Sequence, residues 1–146
     1  MVIQKKSNTS GDKLVRERIE KELILLRQYY SDIVYVEEGQ WIFFPDYPIP
    51  SGLGWNRDKT NVCFQIPLTY PGGPPYGFYI PTGLQYNNQM PNSYKEPSDN
   101  KPPFDGIWGF LSWTQNGGWR PTTDLSTGSN LLNYVKTFKD RFLDGR

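Results

Sequence analysis

The chain has 146 residues, a length typical of one compact domain and too short for two ordinary ones. Sixteen Lys+Arg against fifteen Asp+Glu leave a formal net charge of +1, which argues against a nucleic-acid binder working through a bulk positive field. There is no histidine and only one cysteine, which excludes imidazole-dependent catalysis, most zinc sites and any intramolecular disulfide. Aromatic residues reach 16%, and Gly (14) and Pro (13) are frequent, so a turn-rich domain with an aromatic core is expected.

The N-terminal MVIQKKSNTSGD is polar and lacks the apolar stretch of a secretory signal. No run approaches the roughly 18 apolar residues of a membrane span. A cytoplasmic location without membrane association is the default expectation. Residues 1–11 read as a flexible tail and 12–146 as one domain.

From about Asp12 to Tyr30, Val15, Ile19, Leu23, Leu26 and Tyr30 recur at helical spacing and predict an amphipathic helix. Arg16, Glu17, Glu20 and Lys21 fill the opposite face. Glu17 and Lys21 stand four apart in the favourable order, whereas Arg18 and Glu22 repeat the spacing in the weaker one. Ser10 or Asp12 is placed to cap the helix.

Between about Ile33 and Gln85 the chain reads as strands and turns. Ile33, Tyr35 and Trp41-Ile42-Phe43-Phe44 predict two paired strands, with Glu38-Gly39 at the turn. Val62, Phe64, Ile66 and Leu68 alternate with Cys63, Gln65 and Pro67, the pattern of a strand with one face on the core. Cys63 has the opposite parity and points outward or to a second layer. Tyr70 to Gly77 is a loop by composition, and Phe78-Tyr79-Ile80 is a last short strand. The expected result is a four-stranded antiparallel meander packed on the first helix, an α+β arrangement.

About Tyr86 to Asp105 is polar and aperiodic, and reads as a long surface loop. An aromatic group follows, made of Trp108, Phe110, Trp113 and Trp119; it reads either as core or as a peptide-binding surface. A helix closes the chain from about Ser129 to Leu143. Leu131, Val135, Phe138 and Phe142 mark its buried face, Lys136, Lys139 and Asp140 lie outside, and Gly145 stands at the stop. There is no GxxxxGK[ST], and Gly52-x-Gly54 lacks a GxGxxG continuation, so no cofactor is indicated.

This order of elements resembles the ubiquitin-conjugating enzyme (UBC) fold. Arg18-Ile19-Glu20-Lys21-Glu22-Leu23 looks like its first-helix signature. Val62 to Pro75, ending in Tyr70-Pro71 and Pro74-Pro75, looks like its third strand and following loop. Trp119-Arg120-Pro121 looks like its Trp-Ser-Pro segment. The resemblance runs from about Lys13 to Leu143. Within the family the prokaryotic branch is most similar, through Phe110-Leu111-Ser112-Trp113-Thr114, Trp119-Arg120-Pro121 and Asn130-Leu131-Leu132. That resemblance implies a transferase-like component of a bacterial modifier pathway, with antiviral defence as one setting. Its expected partners are a ubiquitin-like protein and an activating-enzyme-like protein. It also implies contact residues at Tyr70, Pro71, Pro75, Trp113, Trp119 and Arg120.

The departures concern the chemistry. Counting back from Trp119 to the place where the family carries its nucleophilic cysteine lands on Leu111; counting forward from Gly106 lands on Gly109. Cys63 is inside a strand, where the plain reading is a small residue filling a sheet position. The family's His-Pro-Asn corresponds to Met90-Pro91-Asn92, so Asn92 is either a positioned amide donor or a turn asparagine after proline. Ser112 lies in the cysteine window and Thr114 two residues on. Either hydroxyl needs a base to become a nucleophile at neutral pH. Asp105 and Asp124 are the nearest carboxylates in sequence. Two functions follow as expectations: a conjugating-enzyme-like protein that receives or positions a ubiquitin-like protein, through a hydroxyl (oxyester) rather than a thiol, or an inactive UBC-fold module that binds a ubiquitin-like protein or a peptide.

Overall fold

A computed structural model describes residues 10–115 and 117–146. The expected tail therefore lies mostly outside the described residues. Ser10 and Asp12 both fall inside helix α1 (Ser10–Tyr29), not ahead of it. Ile19, Leu23 and Leu26 are buried, as the 3.6-residue stripe requires.

One residue of that stripe was not foreseen. Glu22 stands three after Ile19 and four before Leu26, and it is 1% exposed. On this helix Arg18 pairs with Glu22 at 2.7 Å, and among the described residues the expected Glu17–Lys21 pair does not form. Sequence order favours the second pair only on an isolated helix; here burial of Glu22 decides.

Among the described residues six strands form one antiparallel sheet in the order β1-β2-β3-β4-β6-β5. They are β1 (Val34–Val36), β2 (Trp41–Pro48), β3 (Lys59–Gln65), β4 (Phe78–Pro81), β5 (Tyr94–Lys95) and β6 (Trp108–Leu111). The first four run as the expected meander, with Glu38 and Gly39 in the first turn, where Gly39 and Gln40 both take positive φ. Two strands were not expected. The stretch read as a surface loop contains β5, and the aromatic group begins with β6. Leu68 lies outside β3 and is 94% exposed, so the alternation ends at Ile66.

The sheet is apolar on both faces because alternate residues of each strand point opposite ways. Ile42, Phe44, Val62, Phe64, Phe78, Ile80 and Leu111 face the main core beneath the helices. Trp41, Cys63, Tyr79 and Trp108 form a second cluster on the other face, against which Phe43, Phe104 and Phe110 pack. Phe104 comes from the segment between β5 and β6. Cys63 therefore faces a second layer.

The C-terminal helix is two helices, α2 (Leu131–Lys136) and α3 (Phe138–Asp144). Thr137 separates them. Its hydroxyl donates to the Tyr134 carbonyl at 2.6 Å and accepts the Trp113 indole N–H at 3.0 Å. Asn130 caps α2 in a reciprocal box with Asn133. Leu131, Val135, Phe138 and Phe142 are buried as expected, and Arg141 joins them at 4% exposure. Among the described residues no helix is long and apolar enough to cross a membrane.

Candidate functional site

Asn92 and Ser112 are twenty positions apart and meet through strand register. Tyr94 pairs with Leu111 across β5 and β6. The ladder continues one step, with the Ser112 N–H donating to the Ser93 carbonyl at 2.9 Å. This places the residue after β6 beside the two residues before β5.

The third side of the site comes from the end of α3. Arg141 donates to the carbonyls of Asn92 at 2.8 Å, Gly145 at 3.0 Å and Arg146 at 3.1 Å. The Asn92 N–H donates to the Arg146 carbonyl at 3.0 Å. The guanidinium also lies over the Trp55 ring, 5.9 Å from its centroid. Burial lowers the Arg141 pKa from its ordinary value, with the Asp144 charge opposing that shift. Arg141 thus ties the Asn92 backbone to the end of the C-terminal helix.

These segments enclose an open cavity of about 320 Å³ lined by Asn92, Ser93, Ser112, Trp113, Arg141, Asp144 and Arg146. The Ser112 hydroxyl, the Asn92 carboxamide and the Asp144 carboxylate have no hydrogen-bond partner among the described residues. A serine, an asparagine and an aspartate thus share the lining of one cavity, residue types that acyl transfer to an alcohol can use.

The remaining expected site residues lie elsewhere. Thr114 is exposed and does not line the cavity. Neither Asp105 nor Asp124 lines it. The Asp124 carboxylate is engaged in its own turn, accepting from the Ser126 hydroxyl at 2.7 Å and the Ser126 N–H at 2.9 Å, which lowers its pKa. Asp144 is the lining carboxylate instead. Sequence proximity to Ser112 was a poor guide because β6 and α3 converge only in three dimensions.

Tyr70, Pro71, Trp119 and Arg120 fall at a second junction. Tyr70 is buried, and its hydroxyl donates to the Glu22 carboxylate, 2.7 and 2.8 Å from the two oxygens. Burial first, and Glu22 second, raise the Tyr70 pKa far above its ordinary value. The Trp119 indole donates to the Pro71 carbonyl at 2.6 Å, and its ring lies 5.8 Å from that of Tyr70. Pro75 is buried and Pro71 half-buried. The Arg120 side chain is exposed; its backbone N–H donates to the Ser129 hydroxyl at 2.9 Å, and its guanidinium stacks on neither Trp113 nor Trp119. Trp113 lines the Ser112 cavity, so the aromatic group divides between two core clusters and two sites.

Arg141 and Glu22 were missed, although a signal existed for both. Each falls at helical spacing on an apolar face, Arg141 three after Phe138 and Glu22 three after Ile19. A charge at such a position marks a buried partner network.

Cys63 is fully buried, and desolvation pushes its thiol far above the ordinary value. Among the described residues no group of three His, Cys, Asp or Glu stands together to hold a metal ion. The chain matches no protein-family model, no curated protein and no solved structure.

Proposed function

We propose that this protein is a ubiquitin-conjugating-enzyme-like component of a bacterial modifier pathway. It receives or positions the tail of a ubiquitin-like protein supplied by an activating-enzyme-like protein. The observation that carries the reading is the convergence of Ser112 and Asn92 on one open cavity through the β5–β6 register. The order of helix, antiparallel meander, Tyr-Pro turn, Trp-x-Pro segment and C-terminal helix supports it. So does the Trp119–Pro71 hydrogen bond, which joins two of the motifs on which the family resemblance rests.

In the covalent form of this function, Ser112 Oγ attacks the thioester carbonyl of the activated modifier. The Oγ–C bond forms, the C–S bond breaks, and the hydroxyl proton ends on the departing thiolate. The product is an oxyester. The test is incubation with activating enzyme, modifier and ATP, followed by a search for a hydroxylamine-sensitive adduct. Its presence in the wild type and absence in Ser112→Ala supports the covalent form; no adduct, or one unchanged by Ser112→Ala, removes it.

A second reading is a UBC-fold module that binds without catalysis, and one observation favours it. The single thiol is sealed in the back-face cluster, so thioester exchange through Cys63 is closed. Under this reading the protein retains modifier or activating enzyme in a pull-down yet forms no covalent species. Failure to bind either protein overturns both readings.

A further inference from the structure

We infer that Asp105–Gly106 is a site of spontaneous backbone modification, where aspartate isomerises to isoaspartate and loosens the aromatic layer over Cys63. The inference is independent of any role for Ser112.

The chain contains two Asp-Gly dipeptides, Asp105–Gly106 and Asp144–Gly145. In such a pair the glycine nitrogen can attack the preceding side-chain carboxyl, because glycine has no side chain to obstruct the approach. The attack needs an accessible carboxyl and an uncommitted N–H. Asp105–Gly106 meets both needs. The two residues are exposed, in a bend between β5 and β6. Neither the Asp105 carboxylate nor the Gly106 N–H has a hydrogen-bond partner among the described residues. Gly106 also lines an open cavity of about 210 Å³, and Ile107 beside it is 68% exposed, so water reaches the pair. Asp144–Gly145 carries the same chemistry in a closed setting: Gly145 is buried, and its N–H donates to the Phe142 carbonyl at 3.1 Å.

The reaction consumes no oxidant and no net water. The Gly106 nitrogen bonds to the Asp105 side-chain carboxyl carbon, a carboxyl C–O bond breaks, and the oxygen leaves as water with the nitrogen's proton. The product is a five-membered succinimide, which water reopens by breaking one of its two C–N bonds. Opening at the side-chain carbonyl returns aspartate. Opening at the backbone carbonyl leaves isoaspartate, with the main chain rerouted through the side-chain methylene.

That extra carbon falls inside a short polar link. The Phe104 carbonyl accepts the Trp108 indole N–H at 3.2 Å, across the Asp105–Gly106 bond. The Phe104 ring lies 5.0 Å from that of Phe43 and packs on the cluster of Trp41, Cys63, Tyr79 and Trp108. Lengthening the main chain between Phe104 and Trp108 breaks this fit and opens a path to the thiol.

The experiment is incubation of the full chain at 37 °C and neutral pH, followed by peptide mapping with the protease Asp-N, which cuts before aspartate and not before isoaspartate. In native protein, isoaspartate should accumulate at 105 at least about tenfold faster than at 144, where a hydrogen bond and burial must first be undone. In urea the two rates should converge. Asn116-Gly117, which yields isoaspartate through loss of ammonia, is read separately in the same map. Asp105→Glu, whose longer side chain disfavours the five-membered ring and keeps the charge, should show no isomer at 105. Aged wild-type protein should then react with DTNB at Cys63 faster than equally aged Asp105→Glu. No isoaspartate at 105, or equal rates at 105 and 144 in native protein, overturns the site. Isoaspartate at 105 with Cys63 labelling no faster than in Asp105→Glu overturns the loosening of the layer.

Discussion

The Tyr70 hydroxyl and the Glu22 carboxylate form a buried hydrogen bond across 48 positions of sequence. Glu22 also accepts the Leu131 N–H at 2.6 Å and Arg18 Nε at 2.7 Å. One carboxylate thus joins the first helix, the Tyr-Pro turn and the start of α2. The same turn reaches Trp119 through the Pro71 carbonyl, so the motif-bearing segments are locked to one another by polar contacts inside an apolar setting.

Removing that acceptor should be costly. Glu22→Ala leaves the Tyr70 hydroxyl and the Leu131 N–H buried without partners and Arg18 without its counter-ion. A loss of about 3 kcal/mol is expected. Glu22→Gln, which keeps one acceptor oxygen, should lose less. Urea unfolding measures both; a loss below about 1 kcal/mol in Glu22→Ala would show that the network adds no more than a single ordinary hydrogen bond.

The β5–β6 pairing depends on the absence of a side chain at Gly109. A Cβ there would run into the ring and hydroxyl of Tyr94. Gly109→Ala should therefore destabilise the protein by about 2 kcal/mol, as overpacking does, and prise β5 from β6. Because Asn92 and Ser112 meet through that register, acylation of Ser112 should fall with it. Adding Tyr94→Ala should recover part of both losses. Wild-type stability and acylation in Gly109→Ala would contradict the dependence.

The thiol provides a clean probe of the back face. Cys63 is buried between Trp41, Tyr79 and Trp108, with its ionisation suppressed by desolvation. Native protein should be inert to a disulfide reagent such as DTNB, and labelling in urea should track the global unfolding curve. Rapid labelling of native protein would place Cys63 at an accessible surface.

Alkaline pH should unfold the protein early. Burial raises Tyr47, Tyr70, Tyr134 and Cys63 from ordinary values of 10.0 for tyrosine and 9.0 for cysteine. The unfolded chain releases these protons first, so between the ordinary and raised values it binds fewer protons than the native state. Stability is then intact below the ordinary values and falls as pH rises above them. Each such group costs the native state about 1.4 kcal/mol per pH unit within that window. The urea midpoint should decline from about pH 9 upward; a midpoint unchanged to about pH 11 would show that these groups are not shielded.

Much of the fold was legible because helices and strands impose short periods. The stripe of Ile19, Leu23 and Leu26 announced α1, and the alternation around Val62 announced β3 and the opposite parity of Cys63. The buried face of the C-terminal helix was equally clear, although Thr137 divides that helix in two. β5 was not legible: two residues are too short for any period, and its pairing with β6 comes from a partner more than a dozen residues on.

Of the candidate site, sequence by itself determined which residue types were available: no imidazole, one thiol in a strand, a serine in the expected window and an asparagine after proline. Tertiary structure alone decided which of them meet. Periodicity reports the face on which a residue lies, because it arises from backbone geometry within a few residues. Which segments pair depends on registers and helix ends brought together by burial of the whole core. That is why Asn92 and Ser112 converge, why Asp144 and not Asp124 lines their cavity, and why the buried Glu22 pairs with Arg18 while Glu17 and Lys21 do not pair.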